Sequence, residues 1–290
     1  EAMGRVSGWG WGLGYLGGML TLGLCLAYVL HAQAQGLPAS HFVPVTMGVT
    51  AFMYGAAALV TFALLREHAQ PDPQAPQRAG LRASLAQLRR TFAQARRFRD
   101  FMWLMACAVC YQGGVAVAIA LAAIYAEQVI GFAPQETMVL IFALNAAAAA
   151  GAFAWGYLQD RIGHKLALGS TLVGWIATCV IAALTTTKGG FWWAASIAGL
   201  CMGSSQSAGR AMAGLFAPPR QLAEFFGLWT LAIRLASIIG PLSYGAITWM
   251  TGGNQRVAIL STTALFIAGL LLLLKVDVAR GREAALQTGD

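Results

Sequence analysis

The side chain best placed to do chemistry in this sequence is Arg234, the one charge between Phe225 and Gln255. A helix through that run begins near Leu222, so at ~1.5 Å per residue the guanidinium lies roughly 15–18 Å along it. A cation this far inside an apolar segment must face protein or water and find a counter-charge. It suits a carboxylate or another anionic group on a bound solute. The alternative is structural, an ion pair with an acid elsewhere or contacts to backbone carbonyls. Four neutral polar residues stand on other apolar segments: Tyr15, Gln112, Asn145 and Gln206. Each can exchange hydrogen bonds with a small solute, or can satisfy a neighbouring helix, a contact worth ~0.6 kcal/mol on average. With Arg234 they make up a candidate binding set.

Motifs that would imply catalysis fail on context. Gly12-x-Gly14-x-x-Gly17 has the spacing of a dinucleotide fingerprint, but no strand precedes it and no acid follows about 20 positions on. Gly8/Gly12, Gly10/Gly14 and Gly14/Gly18 read instead as small-xxx-small pairs that let helices approach closely. Cys107-x-x-Cys110 has no second pair. Like Cys25, Cys179 and Cys201 it lies in an uncharged segment, where a thiol packs as a small apolar group. His31 and His41 flank one loop and read as solvated. No G-x-x-x-x-G-K-[ST], H-E-x-x-H, G-x-S-x-G or paired carboxylates occur. The expectation is therefore no enzyme, no cofactor and no metal.

These residues sit in a chain that is 58% hydrophobic and only 10% charged, against the ~25% charged of a soluble domain. Residues 6–65 contain no Asp, Glu, Lys or Arg. Since ~20 apolar residues cross the hydrocarbon layer as a helix, spans are expected near 8–30, 41–65, 101–126, 135–157, 166–186, 191–215, 222–249 and 255–274. The net charge of +8 follows these spans. Arg5, Arg66, the arginines between 78 and 99, Arg161, Lys165, Arg210, Arg220, Lys275, Arg280 and Arg282 fall on one side. Lys188 and Arg256 fall on the other. That asymmetry marks the crowded side, with both ends of the chain, as cytoplasmic. Basic excess here reports orientation in a lipid bilayer, not a nucleic-acid partner.

Between two apolar stretches stands a polar knot, Gly156-x-x-x-Asp160-Arg161-x-Gly163-x-Lys165. No charge occurs from Thr137 to Gln159 or from Leu166 to Thr187, so the knot is a tight cytoplasmic turn between two spans. The pattern G-x-x-x-D-R-x-G-x-K resembles the signature loop of the major facilitator superfamily of transporters, which recurs in degenerate form between spans 8 and 9. Arg5-Val6-Ser7-Gly8 with Gly14-Tyr15-Leu16-Gly17-Gly18, Gly203-Ser204-Ser205-Gln206-Ser207-Ala208-Gly209-Arg210, Glu224-Phe225-Phe226-Gly227 and Gly240-Pro241 resemble the vacuole effluxer-like branch, related to an autophagy-linked amino-acid exporter. Two departures stand out. Tyr111-Gln112-Gly113-Gly114 lies where the branch is expected to carry an acid after the tyrosine, and Arg234 stands where a lysine is usual.

The resemblance implies an all-α, polytopic membrane helical bundle of about eight visible spans, corresponding to spans 5–12 of a twelve-span fold. The chain opens Glu1-Ala2-Met3-Gly4-Arg5 without an initiator Met or signal peptide, which reads as an internal cut; a native eight-span protein is the alternative. Residues 1–65 are then the last two spans of the N-terminal bundle, and 101–274 a complete six-span C-terminal bundle. Residues 275–290 form a cytoplasmic tail. The segment 66–100 is a cytoplasmic linker. Its Leu81, Leu85, Leu88, Phe92 and Phe98 recur at helical spacing among arginines, as in an amphipathic helix on the inner leaflet. Tyr15 and Arg234 each follow a cytoplasmic Ser-Gly or Phe-Gly pair by the same spacing, as duplicated bundles would give.

Asp160, Arg161, Lys165 and Arg210 are the candidate gating residues. By superfamily analogy Asp160 is a latch on the N-terminus of the helix beginning near Ser7, where a carboxylate gains from the dipole and free N–H groups. The expected function is secondary transport of a small-molecule substrate by alternating access, with amino-acid efflux or exchange foremost. Coupling to protons or another ion stays open. A drug or peptide exporter and a transporter-like scaffold or sensor are the rivals. The expected location is a bacterial inner membrane.

Overall fold

A computed structural model describes residues 3–65, 86, 89, 91–93 and 95–287. Most of the expected amphipathic linker helix, including Leu81, Leu85 and Leu88, lies outside the described residues. Every regular element among the described residues is helical: α1 (Met3–Ala34), α2 (Ala39–Leu64), α3 (Arg99–Tyr125), α4 (Pro134–Ile162), α5 (His164–Leu184), α6 (Lys188–Leu215), α7 (Leu222–Met250), α8 (Gln255–Leu274) and α9 (Val278–Gln287). A π-helical turn (Ala126–Ile130) follows α3, and a 3₁₀ turn (Pro219–Gln221) precedes α7.

Among the described residues, seven helices are long and apolar enough to cross a membrane: α1, α2, α3 with its π turn, α4, α5, α7 with its 3₁₀ turn, and α8. The sequence reading counts α6 as an eighth. It has 28 residues, but Ser204, Ser205, Gln206 and Ser207 lower its hydropathy. Its three serines there are fully buried, so their hydroxyls face protein rather than lipid. Large apolar side chains point outward elsewhere, among them Phe52, Phe62, Ile119, Val173, Leu242 and Trp249. Outward apolar faces on long helices are the mark of an integral membrane protein.

The chain forms two compact units, residues 16–87 and residues 1–15 with 88–290. In the smaller unit the end of α1 turns into α2 through Gly36, whose φ of +71 suits a residue without Cβ. Leu37 N–H donates to Ala32 O at 3.0 Å, closing a Schellman-type turn. The Cys25 thiol reaches Thr46 O at 3.7 Å across the hairpin.

The larger unit is built on α3–α8. α3 packs on α7 and α8, α5 on α6 and α8, and α4 most intimately on α6. Small residues make that last crossing. A Cβ on Gly203 would run into the Ala148 carbonyl, and one on Gly151 into the Leu200 carbonyl. At the centre Trp175 stacks on Phe266 with ring centroids 5.2 Å apart. α9 folds back so that Gly281 lies against Phe216 and Asp100.

This packing leaves no room for a side chain at the α4–α6 crossing. Gly203→Val should lower stability by about 1–3 kcal/mol or more through overpacking, read as a lower Tm of the detergent-purified protein. An unchanged Tm would contradict the crossing as described.

Candidate functional site

The knot is a one-residue turn. α4 ends and α5 begins at Gly163, whose φ of +91 disfavours any side chain. Asp160 therefore sits in the last turn of α4, three residues before a sharp reversal. Its Oδ1 accepts a hydrogen bond from Gly4 N–H at 3.1 Å. Its Oδ2 accepts from Arg5 N–H and from Arg5 Nε, both at 3.2 Å. The first N–H groups of a helix have no partner within it, and a carboxylate placed there also meets the positive end of the dipole. The Asp160 side chain is only 13% exposed, so water screens this contact less than it would a surface ion pair.

Glycines allow that approach. A Cβ on Gly8 would meet the Ala152 carbonyl at 2.6 Å and Gly156 Cα at 2.9 Å, and one on Gly12 would meet the Phe153 ring. Gly10, Gly14 and Gly18 have open space at the same test. Of the three glycine pairs expected to pack, Gly8/Gly12 alone does so among the described residues, where α1 turns that face to α4. Polar contacts border the seam. Trp9 Nε1 donates to Tyr157 Oη at 3.2 Å, and Ser7 Oγ donates to the Ser207 carbonyl of α6 at 2.9 Å.

The other basic candidates separate from Asp160. Lys165 Nζ donates to Leu274 O at 2.9 Å and to Val276 O at 2.8 Å, at the end of α8. Arg161 is exposed and forms no hydrogen bond or ion pair among the described residues. Arg210 holds its guanidinium 5.8 Å from the Phe226 ring centroid. It lines a cavity of about 540 Å³ whose wall includes Val6, Ser7, Trp11, Ala211 and Phe226. Trp11 Nε1 is buried there with no acceptor among the described residues, and its ring lies 5.9 Å from that of Tyr15.

Deeper in the bundle the structure joins two members of the expected binding set. Gln112 Nε2 on α3 donates to Gln206 Oε1 on α6 at 2.8 Å, and Gln206 Nε2 returns a bond to Gln112 Oε1 at 3.1 Å. Gln112 is buried, with Tyr111 Oη 3.4 Å from its amide nitrogen. This reciprocal pair gives each amide one donated and one accepted bond, while Gln206 keeps one partly open edge. Asn145 bonds back to the Ile141 carbonyl of its own helix at 2.9 Å. Arg234 is exposed on α7, and its guanidinium has no hydrogen bond or ion pair among the described residues. Neither Asn145 nor Arg234 is hydrogen-bonded to the glutamine pair. Tyr15 packs at the edge of the main apolar core.

Two buried polar residues escape a reading of the sequence. Gln159, within the knot, is fully buried; it donates to the Ala208 carbonyl at 3.3 Å, and its own Oε1 has no donor among the described residues. Asp100, 3% exposed, is held bidentately by Arg280 at 2.7 Å through both Nε and Nη2. The available signal for Asp100 was an acid at a span's first turn with an arginine just beyond the last span. For Gln159 it was an amide ending an otherwise uncharged run.

Residues 1–286 match the family described as vacuole effluxer Atg22 like. An uncharacterised MFS-type transporter, YxiO of Bacillus subtilis, is 26% identical over 294 residues, spanning 100% of this chain and 67% of its own length. Autophagy-related protein 22-1 of Aspergillus fumigatus is 26% identical over 308 residues, covering 97% of this chain and 49% of its own length. The chain thus spans about two thirds of one relative and half of the other. Among solved structures, the human organic anion transporter MFSD10 superposes with a TM-score of 0.68 at 17% identity, over 89% of this chain and 63% of that one. The Escherichia coli fucose:proton symporter FucP does so with a TM-score of 0.60 at 15% identity, over 85% and 60%. The fold is that of the major facilitator transporters.

The reciprocal amide pair makes a measurable claim. In a double-mutant cycle of Gln112→Ala and Gln206→Ala, stability losses should be non-additive by about 0.6 kcal/mol, up to ~1.7. Strictly additive losses in chemical unfolding would show that the two side chains act independently.

Proposed function

The chain belongs to the vacuole effluxer Atg22-like family, and from that premise we propose that it is a secondary transporter moving a small solute by alternating access. Its activity is the efflux or exchange of amino acids or similar carboxylate-bearing metabolites. The observation that carries this reading is the Asp160 carboxylate seated on the first N–H groups of α1. Alternating access needs contacts that close one end of the molecule and part again in each cycle. A helix end gripped by one carboxylate is such a contact. It is geometrically strict, so a small displacement breaks it, and both groups are solvated when it opens.

Arg234 supports the choice of solute. A cation midway along a membrane helix costs ~2.5–3.5 kcal/mol on insertion scales, and this one has no counter-charge among the described residues. A carboxylate on the transported molecule would supply one. The glutamine pair, with donors and acceptors on both amides, could then exchange its mutual bonds for those of an ammonium or amide group. Protons or another ion are the proposed coupling partner. The knot side, which carries Asp160, Lys165 and Arg280, is the cytoplasmic side by its positive charge, and a bacterial cytoplasmic membrane is the proposed location.

Three measurements test this. Arg234→Gln should reduce amino-acid transport in proteoliposomes by about tenfold or more, the scale of a lost charge-assisted contact; wild-type rates across a labelled solute panel would refute the substrate class. Asp160→Asn should slow transport severalfold while leaving membrane insertion intact, and equal rates at equal expression would remove the latch. Impermeant amine labelling of intact cells should modify Lys188 and spare Lys165. Labelling of both from outside would overturn the orientation.

A further inference from the structure

The short junction between α8 and α9 is held from several directions by residues distant in sequence. Lys165 Nζ donates to the carbonyls of Leu274 and Val276. One residue later, Asp277 N–H donates to Asp100 Oδ1 at 2.7 Å. Asp100 also receives the bidentate grip of Arg280, and Asp277 Oδ1 accepts from Arg280 N–H at 3.0 Å, starting α9. Lys275 Nζ lies 4.5 Å from the Trp103 ring centroid. Val276 is 1% exposed. The junction is thus a fixed surface anchored to the start of α3, and the knot's lysine docks on it.

Only Gly163 separates α4 from α5, so Asp160 and Lys165 lie in adjoining helical turns linked through a single residue. We infer that the α8–α9 junction, clamped to Asp100 through Arg280, is a seat that positions the knot so that Asp160 meets the first turn of α1. Lys165, Asp100 and Arg280 are positioning residues for the latch and touch no solute. The inference rests on reading Asp160 as the latch.

The molecule contains its own control. At the opposite end of the same antiparallel pair, Arg256, the second residue of α8, donates through Nη1 to Ala183 O at 3.0 Å and to Thr185 O, capping α5. Lys165, the second residue of α5, caps α8. Each cation satisfies carbonyls that a helix leaves unpaired at its C-terminus. The chemistry matches, but only one cap adjoins the knot.

The test is cross-linking of the α1–α4 seam in full-length protein in membranes. The five native cysteines are replaced by alanine, cysteines are placed at Trp9 and Tyr157, and a short bifunctional maleimide is applied. Lys165→Met should lower the ratio of linked to unlinked protein by about tenfold, the scale of lost charge-assisted bonds. Asp100→Asn and Arg280→Met should lower it in the same direction, and Lys165→Arg should restore most of it. Arg256→Met should lower Tm about as much as Lys165→Met while leaving the ratio unchanged. An unchanged ratio in Lys165→Met, or an equal fall in Arg256→Met, would reduce the junction to a structural brace. The readout needs no transported solute. A failed transport reading would appear separately, as the unmodified protein moving no solute while the cross-linking dependence persists.

Discussion

Helix ends govern this molecule. A helix in lipid satisfies its own backbone except for the first N–H and last C=O groups, which must find partners in side chains, water or neighbouring helices. The polar residues of the larger unit answer that demand repeatedly. Asp160 meets the start of α1, Lys165 the end of α8, Arg256 the end of α5, and Asn254 the start of α8 through bonds to Arg256 N–H and Val257 N–H. Charges in such a chain are few, and those with assigned contacts sit largely where helices stop.

Between those ends the helices are held by shape. Apolar side chains gain little by leaving lipid for protein, so close backbone approach and dispersion take the place of the hydrophobic effect. The glycines at 151 and 203 bring α4 against α6, while those at 8 and 156 bring α1 against α4. The two crossings share α4, and the knot hangs from its end. The rotation of α4 about its axis is therefore set by packing along its length, and that rotation aims Asp160. Tight packing and polar capping are one arrangement here.

The polar interior divides into satisfied and unsatisfied groups. Gln112 and Gln206 complete each other, and Asn145 turns back on its own helix. Arg234 does neither. It is exposed on α7 and has no counter-charge among the described residues.

Much of this was legible in the residues themselves. Uncharged runs mark membrane helices because hydrocarbon excludes charge. The Asp160–Gly163–Lys165 spacing marks a turn because glycine alone takes its backbone angle easily. Such features are local, and periodicity and charge report them directly. The partners are not local. Asp160 and Arg5 lie 155 residues apart, and Lys165 and Val276 lie 111 apart. Which of the knot's charges grips α1, which of α1's glycines touches α4, and which glutamine faces which helix depend on the rotation and depth of whole helices. Those are fixed only when every crossing packs at once. Sequence determined that there would be capped membrane helices with a charged turn among them; tertiary packing alone decided which helix each cap would serve.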